Sequence, residues 1–307
     1  MKVYTNNLKE NWVVDQFISE WHKHNNLLST SNIKNADIVW LIAPWTWKGV
    51  KKKHLEYKKV ICTIHHIDFD KFNKKEEKDF FDRDKYVDHY HAISEITKKQ
   101  VQQLTNKKIT VLPFWLNQNN FYQINNKDEL KNKFGLDKNK YLIGSFQRDT
   151  EGHDLISPKL SKGPDRFLEI VLKKLEENKN IEVILTGNRR NYLIEKFKKH
   201  SVSYKYFKMV DLNTLNQLYN LLDLYIVSSR VEGGPRSVFE CALTKTPIIS
   251  TDVGYSSEIL HPDSIFNMDN YQDAKPNIDF AFKNIQKYLL PRGMKQFEVM
   301  FRNLYES

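Results

Sequence analysis

The sequence predicts an α/β protein of two Rossmann-like domains, the first of them short. Three features carry this. Short apolar runs alternate with longer amphipathic stretches, the pattern of a parallel sheet with helices on both faces. A polar stretch rich in Asn, Gln and Lys, Asn117 to Lys140, interrupts the alternation once, and the alternation then restarts. Late in the second run an apolar strand, Leu222 to Val227, enters a turn with one acid and two glycines, and Pro235 opens a helix. Ligands bind at the carboxyl ends of strands in such sheets, so two domains predict a cleft between them.

Each element follows from that alternation. In the first domain, residues 1–120, apolar runs start strands at Lys2, Asp37, Lys59, Val87 and Ile109. Amphipathic stretches give helices over Asn11–Lys23, Lys74–Asp84 and Glu95–Leu104. Residues 121–140 read as the linker. In the second domain, residues 141–290, strands are expected at Tyr141–Phe146, Ile181–Thr186, Ser203–Phe207, Asp223–Val227 and Pro247–Ser250. Helices alternate with them at Pro164–Glu177, Tyr192–His200, Leu212–Leu221 and Arg236–Leu243. The tail from Tyr271 to Ser307 reads as helical with a break at Pro291-Arg292-Gly293. Its last helix, 291–307, is expected to pack back toward the first domain. There is no internal repeat.

At 307 residues the chain is long enough for two cores. Its ordinary apolar content excludes a disordered chain. Cys62 and Cys241 lie far apart in apolar segments and read as buried free thiols of a reducing compartment, a disulfide being the alternative. Met1 to Thr5 starts directly as a strand, with no secretory signal, and the longest apolar run, Ile38 to Pro44, is too short to span a bilayer. The expected location is the cytoplasm, with the inner face of a membrane as an option.

The formal net charge is +10, and residues 1–120 hold 20 Lys/Arg against 14 Asp/Glu. Lys48, Lys51, Lys52, Lys53, Lys58 and Lys59 form one basic cluster, and Lys71, Lys74, Lys75 and Lys78 a second. One reading is an anionic partner, such as a phospholipid surface, a phosphorylated lipid or an acidic glycan. The other is a Lys-rich composition decorating solvated faces. Nucleic acid is not expected, because no recognised nucleic-acid motif accompanies the charge.

The turn after the late strand defines the chemistry. A strand end, a glycine-rich turn and a helix N-terminus form an anion cradle, because free N–H groups and the helix dipole point at the ligand. Glu232 and Glu240 stand around it. Carboxylates do not bind phosphate; they accept hydrogen bonds from neutral hydroxyls. Phosphate flanked by hydroxyls describes a nucleotide sugar.

These residues resemble a family. Glu232-Gly233-Gly234-Pro235-Arg236-Ser237-Val238-Phe239-Glu240 matches the Glu, seven residues, Glu pattern of the GT-B retaining glycosyltransferases, specifically glycosyltransferase family 4 (glycosyl transferases group 1). Thr246 to Tyr255 and Glu258-Ile259-Leu260 continue the likeness. Upstream, Ile143 to Arg148, Lys162-Gly163-Pro164-Asp165 and Leu185 to Asn188 resemble further family blocks in order. In the first half, Thr63 to Asp68, His91 to Ser94 and Val111 to Asn117 are looser matches.

The resemblance implies GT-B architecture and a metal-free, front-face transfer of sugar, with retention, to an acceptor hydroxyl. Glu232 would bond donor-sugar hydroxyls and Glu240 the nucleotide ribose. Backbone N–H groups around Gly234 to Ser237 would meet the diphosphate, and Gly144, Gly187, Gly233, Pro235 and Arg236 complete the donor-binding set. Arg148 and Lys162 would neutralise the departing pyrophosphate, where charge develops in the transition state. His65 would face the donor sugar or acceptor, with His66 pointing the other way. No cofactor is expected, the nucleotide-diphosphate sugar being the substrate. Asp68-Phe69-Asp70 reads as a loop and not a metal pair. The implied acceptor is a glycan or glycolipid of surface polysaccharide or lipopolysaccharide synthesis.

The chain departs from the family in two places. About a dozen residues, Asp149 to Ser161, separate Arg148 from Lys162, where members have only a few. The first strand leads into Asn6-Asn7-Leu8-Lys9-Glu10-Asn11 without the glycines that usually close over donor phosphates. These departures keep two alternatives open: a non-catalytic nucleotide-sugar-binding subunit or sensor, and a GT-B nucleotide-sugar hydrolase or epimerase. Trp45 and Trp47 are candidates for stacking on sugars or a lipid interface; Trp40 reads as core.

Overall fold

The computed structural model describes residues 1–6 and 13–307. The glycine-free segment after Asn6 falls on residues 7–12 and lies outside the described residues. The first elements are β1 (Val3–Thr5), α1 (Val13–His24), β2 (Ser29–Thr30), β3 (Ile38–Leu41), α2 (Lys52–Tyr57), β4 (Lys59–Ile64), α3 (Lys74–Asp84), β5 (His89–Ala92), α4 (Glu95–Gln102) and β6 (Ile109–Val111). There follow α5 (Lys127–Lys133), β7 (Tyr141–Ser145), α6 (Pro164–Glu177), β8 (Ile181–Thr186), α7 (Asn191–Lys199), β9 (Tyr204–Phe207), α8 (Leu212–Leu221) and β10 (Leu224–Val227). The chain ends with α9 (Arg236–Thr244), β11 (Ile248–Thr251), α10 (Ser256–Ile259), β12 (Ile265–Phe266), α11 (Ile278–Ile285) and α12 (Arg292–Glu306).

Two parallel six-stranded sheets result, ordered β2-β1-β3-β4-β5-β6 and β12-β11-β10-β7-β8-β9. The Rossmann-like alternation read from the sequence is met in both. Parallel sheets covered on both faces need continuous apolar strands, and Ile38–Leu41 and Leu224–Val227 are buried throughout. Contacts divide the chain into a first unit, Met1–Leu116 with Tyr288–Ser307, and a second, Asn117–Lys287.

The first unit is held by aromatic rings. Trp21 of α1, Trp40 of β3, Phe114, Trp115 and Phe297 and Phe301 of α12 form one buried cluster. Trp40 meets Phe301 at 5.1 Å and Phe297 at 5.7 Å between ring centres. Edge and tilted contacts of this kind add about 0.5–1.5 kcal/mol per pair beyond burial. Trp21 Nε1 finds no hydrogen-bond partner among the described residues, whereas the other indoles and the histidine of this core are paired. Trp40 Nε1 donates to Thr63 Oγ1 at 2.9 Å, and Trp115 Nε1 to Glu20 Oε2 at 2.7 Å. The Thr63 hydroxyl lies 2.9 Å from His91 Nδ1, and His91 Nε2 donates to the Leu112 carbonyl at 2.6 Å. The chain leaves this unit at Leu116 and re-enters at Tyr288, and the two passes bond each other: Leu116 N–H to Tyr288 O, and Leu290 N–H to Leu116 O.

Several stretches differ from the sequence reading. Residues 121–140, read as a linker, hold α5 and lie within the second unit. Some of their polar side chains cap and anchor backbone, and the stretch is tied to α8. Asn126 caps α5 through the Glu129 N–H. Asn216 and Asn220 of α8 accept the Tyr122 and Ile124 N–H groups. Buried Lys131 donates to the Lys138 and Lys140 carbonyls. The first basic cluster surrounds α2, which holds Lys52 and Lys53 and buries Leu55. The tail breaks at Leu289–Pro291, before Arg292 and Gly293, which are helical. Cys62 and Cys241 are buried free thiols, and burial pushes the Cys62 thiol up to about 11. No helix among the described residues is long and apolar enough to cross a membrane.

Three histidines make the first unit acid-sensitive, His65 among them at about 4. Burial holds His89 down to about 4 and His91 to about 3, against 6.5 when unfolded. Below pH 6.5 the unfolded chain therefore takes up protons that the folded chain refuses. Stability falls as pH drops from 6.5 toward 4, by roughly 1.4 kcal/mol per pH unit for each ring. Urea midpoints at pH 7, 6 and 5 should show it, and His89→Gln should flatten the slope by one proton. A slope unchanged by that substitution refutes the assignment.

Candidate functional site

The second sheet reverses direction between β7 and β10. From β7 the chain winds outward through β8 to β9, then crosses back to β10 and winds the other way through β11 to β12. The loops after β7 and β10 leave in opposite senses, which opens a crevice at their carboxyl ends. Gly144 lies inside β7, where an added Cβ would come within 2.3 Å of Leu222 Cδ1, so its bareness serves packing.

The loop after β10 is locked to the start of α6. Gly163, at φ +62°, has no room for a side chain: a Cβ would stand 1.8 Å from the Ser228 carbonyl. The Ser228 hydroxyl donates to the Gly163 carbonyl at 2.8 Å, and the Arg230 N–H to Ser161 O at 2.8 Å. Arg230 also forks onto Asp165 at 2.7 and 2.6 Å. This docking brings Lys162 and Glu232, 70 residues apart in sequence, into an ion pair. Their side chains are only 24% and 10% exposed, so the pair is largely withdrawn from water. The Ser229 hydroxyl lies 3.2 Å from Glu232 Oε1 and 3.1 Å from Gln147 Oε1. Gln147 Nε2 in turn donates to the Lys162 carbonyl at 2.8 Å.

The glycine turn that follows is shaped by the loop after β11. A Cβ on Gly254, at φ +55°, would lie 2.3 Å from the Gly233 carbonyl, and one on Gly234 would lie 2.0 Å from the Tyr255 ring. α9 then starts behind Pro235, with no side chain capping it. A helix leaves its first N–H groups without intrahelical partners, so Arg236 and Ser237 sit at the positive end of its dipole. Glu240 stands one turn on. Its Oε2 accepts the Tyr219 hydroxyl at 2.6 Å, and its Oε1 lies 3.9 Å from Arg236 Nε. Burial raises its pKa, against the pull of Arg236 and Tyr219.

The remaining expected residues are placed differently. Arg148 is exposed, and its Nε donates to Thr150 O at 2.7 Å. The structure does not bring it to the Lys162–Glu232 pair among the contacts described. Gly187, at φ +89°, ends β8, and its carbonyl accepts the Tyr206 hydroxyl at 2.8 Å. His65 belongs to the first unit. Its Nε2 donates to Ile42 O at 3.0 Å, its ring stacks on Phe114 at 5.8 Å, and burial holds it neutral, down to about 4. With Nε2 as donor, Nδ1 is the accepting edge.

Sequence reasoning missed five residues. Gln147 and Ser229 lie inside quoted motifs but join only once the loops dock. Tyr219 reaches Glu240 from α8 without any local signal. Arg190 and Asp149 form an ion pair at 3.0 Å with side chains 0% and 2% exposed, and neither belongs to a recognisable pattern.

Comparison with known proteins follows this geometry. Residues 126–288 match the family described as Glycosyl transferases group 1. A lipopolysaccharide core biosynthesis mannosyltransferase, LpsB, of Rhizobium meliloti (strain 1021) is 26% identical over 141 residues, which is 44% of this chain and 38% of that protein. The chain thus matches well under half of that relative's length. Among solved structures, Anabaena Alr3699/HepE in complex with UDP-glucose superposes with a TM-score of 0.74 at 11% identity, covering 98% of this chain and 99% of that one. Sucrose-phosphate synthase from Thermosynechococcus elongatus gives 0.73 at 12% identity, covering 96% and 77%. These likenesses establish the GT-B architecture.

The buried carboxylate at Glu240 has a measurable consequence. Its folded pKa is raised, so its favourable contribution is complete at low pH and is lost as pH rises through that pKa. Glu240→Gln keeps the shape and removes the charge. The variant should melt at a higher temperature than the parent at pH 7, and the gain should shrink toward pH 4. Equal pH dependence of the two melting curves counts against a strained carboxylate.

Proposed function

The chain belongs to the Glycosyl transferases group 1 family, and on that premise we propose that it is a retaining glycosyltransferase moving a sugar from a nucleotide-diphosphate sugar to an acceptor hydroxyl. The observation that supports this most is the Lys162–Glu232 pair beside the uncapped start of α9, with Glu240 one turn further along. Each charge has a task in such a reaction. The α9 N–H groups and Lys162 receive the diphosphate, Glu232 accepts donor-sugar hydroxyls, and Glu240 accepts ribose hydroxyls. Charged acceptors on neutral hydroxyls give bonds of roughly 1.5–3 kcal/mol each.

In the transfer step the bond from the anomeric carbon to the diphosphate oxygen breaks and the bond to the acceptor oxygen forms on the same face. The acceptor proton passes to the departing phosphate oxygen. Negative charge grows on that phosphate, so Lys162 and the α9 dipole lower the barrier and not only the binding energy. Arg148, exposed beside the anchored loop, joins them through a change of side-chain rotamer. These cations take the task a metal serves elsewhere, and the reading is metal-independent. His65, neutral at physiological pH, serves the donor sugar or the acceptor in this reading.

The acceptor is a glycan or glycolipid of polysaccharide or lipopolysaccharide synthesis. The LpsB likeness supports this class. The basic face of the first unit supports an anionic surface for it: after desolvation, the charges of Lys53, Lys58, Lys51 and Lys34 hold His54 below its ordinary pKa.

Thermal shifts with UDP-, GDP-, ADP- and dTDP-sugars, with and without EDTA, test the reading. One nucleotide series should stabilise the protein, independently of EDTA, and lose its effect in Glu240→Ala. Proton NMR of the product should show retained anomeric configuration. Lys162 is paired with Glu232, so a diphosphate must displace that carboxylate. Glu232→Gln should therefore bind the preferred nucleoside diphosphate about tenfold more tightly, near 1.4 kcal/mol, while sugar transfer falls by about a hundredfold or more. Weaker diphosphate binding in that variant refutes the exchange.

A further inference from the structure

The stretch that separates Arg148 from Lys162 is built as a hairpin. Thr150 pairs antiparallel with Pro158, and the Glu151 N–H bonds Ser157 O at 2.9 Å. The Lys159 N–H returns to Asp149 O at 2.8 Å. Asp154 closes the tip by accepting the Ile156 and Ser157 N–H groups at 3.0 and 3.2 Å. The hairpin starts one residue after Arg148 and ends shortly before Lys162, so its anchorage sets where both cations emerge.

That anchorage is the buried pair. Asp149 is one-sidedly rich in partners: the Thr150 hydroxyl at 2.7 Å, the Arg190 guanidinium at 3.0 Å, and the Tyr192 and Leu193 N–H groups at the start of α7. The Arg189 carbonyl meets the Asp149 and Thr150 N–H groups at 3.2 Å each, and the Thr150 hydroxyl also accepts the Tyr192 N–H at 3.0 Å. Arg190 is wholly enclosed, and its Nη1 and Nη2 find no hydrogen-bond partner among the described residues. Enclosing a guanidinium this way is costly, and apolar packing would stabilise a loop more cheaply. What a buried ion pair adds over apolar packing is one defined geometry, because a carboxylate out of place leaves two charges uncompensated.

We propose that Arg190 and Asp149 are positioning residues that fix the 149–159 hairpin on the start of α7 and thereby set Arg148 and Lys162 for the diphosphate. The inference rests on the glycosyltransferase reading for its second half only. Neither residue touches the donor; both act through the hairpin.

Hydrogen exchange of the full chain without nucleotide tests the first half, on the parent, Asp149→Asn, Arg190→Lys and the milder Thr150→Val, which covers the case that Asp149→Asn does not fold. Peptides spanning 149–163 should exchange at least about tenfold faster in Asp149→Asn, while β8 and β10 keep their protection. Arg190→Lys, which retains the charge, should show a smaller change. Unchanged exchange in the hairpin, or an equal rise throughout the second unit, overturns the proposal. Titration with inorganic pyrophosphate tests the second half: Asp149→Asn should bind it at least about tenfold more weakly than the parent. Unaltered affinity with a loosened hairpin overturns the link to the cations. A parent that binds no pyrophosphate counts against the glycosyltransferase reading instead, and the exchange result then judges the anchorage alone.

Discussion

The site depends on one constraint, the adjacency of β7 and β10. Parallel strands connected through helices on opposite sides send their following loops apart, and only where the winding reverses does a crevice open. β7 and β10 are separated by 78 residues of chain, 146–223, yet they are neighbours in the sheet. Every charge at the site is delivered by one of those two ends. Lys162 comes with the passage from β7 to α6, and Glu232 and Glu240 with the passage from β10 through α9. Gly163 is bare because these passages touch at backbone distance, Gly254 because the loop after β11 meets the β10 passage as closely, and Gly234 because the Tyr255 ring packs on it.

Much of this was legible in the chain itself. Pro164–Glu177, Ile181–Thr186 and Leu212–Leu221 have the bounds that their apolar period indicates. These elements are long, strongly patterned and dominated by local rules. The polar stretch after Asn117 misled because composition does not distinguish solvated amides from amides that bond backbone. Asn216 and Asn220 act on residues more than 90 positions away. The candidate site's turn and helix start were legible where they are contiguous, from Glu232 to Glu240. The assembled part was not: Tyr219, Ser229 and Gln147 matter through partners that only the fold supplies, and the Arg190–Asp149 pair is a wholly tertiary event.

The arrangement also shows charges kept in check by each other. Lys162 and Glu232 are withdrawn from water, which is tolerable only in contact. Glu240 leans on Tyr219 and Arg236 for the same reason. Such groups sit above their most relaxed state.

The first unit draws on both ends of this sequence, since Phe297 and Phe301 of α12 fill the core around Trp21 and Trp40. This sets an order on synthesis. When residue 287 leaves the ribosome, the second unit, contiguous from Asn117, has all its partners, whereas the first has only its opening 116 residues and an uncovered aromatic face. The domain made first is thus the last to close. Until α12 arrives, two buried-in-waiting tryptophans stand open to water or to a chaperone.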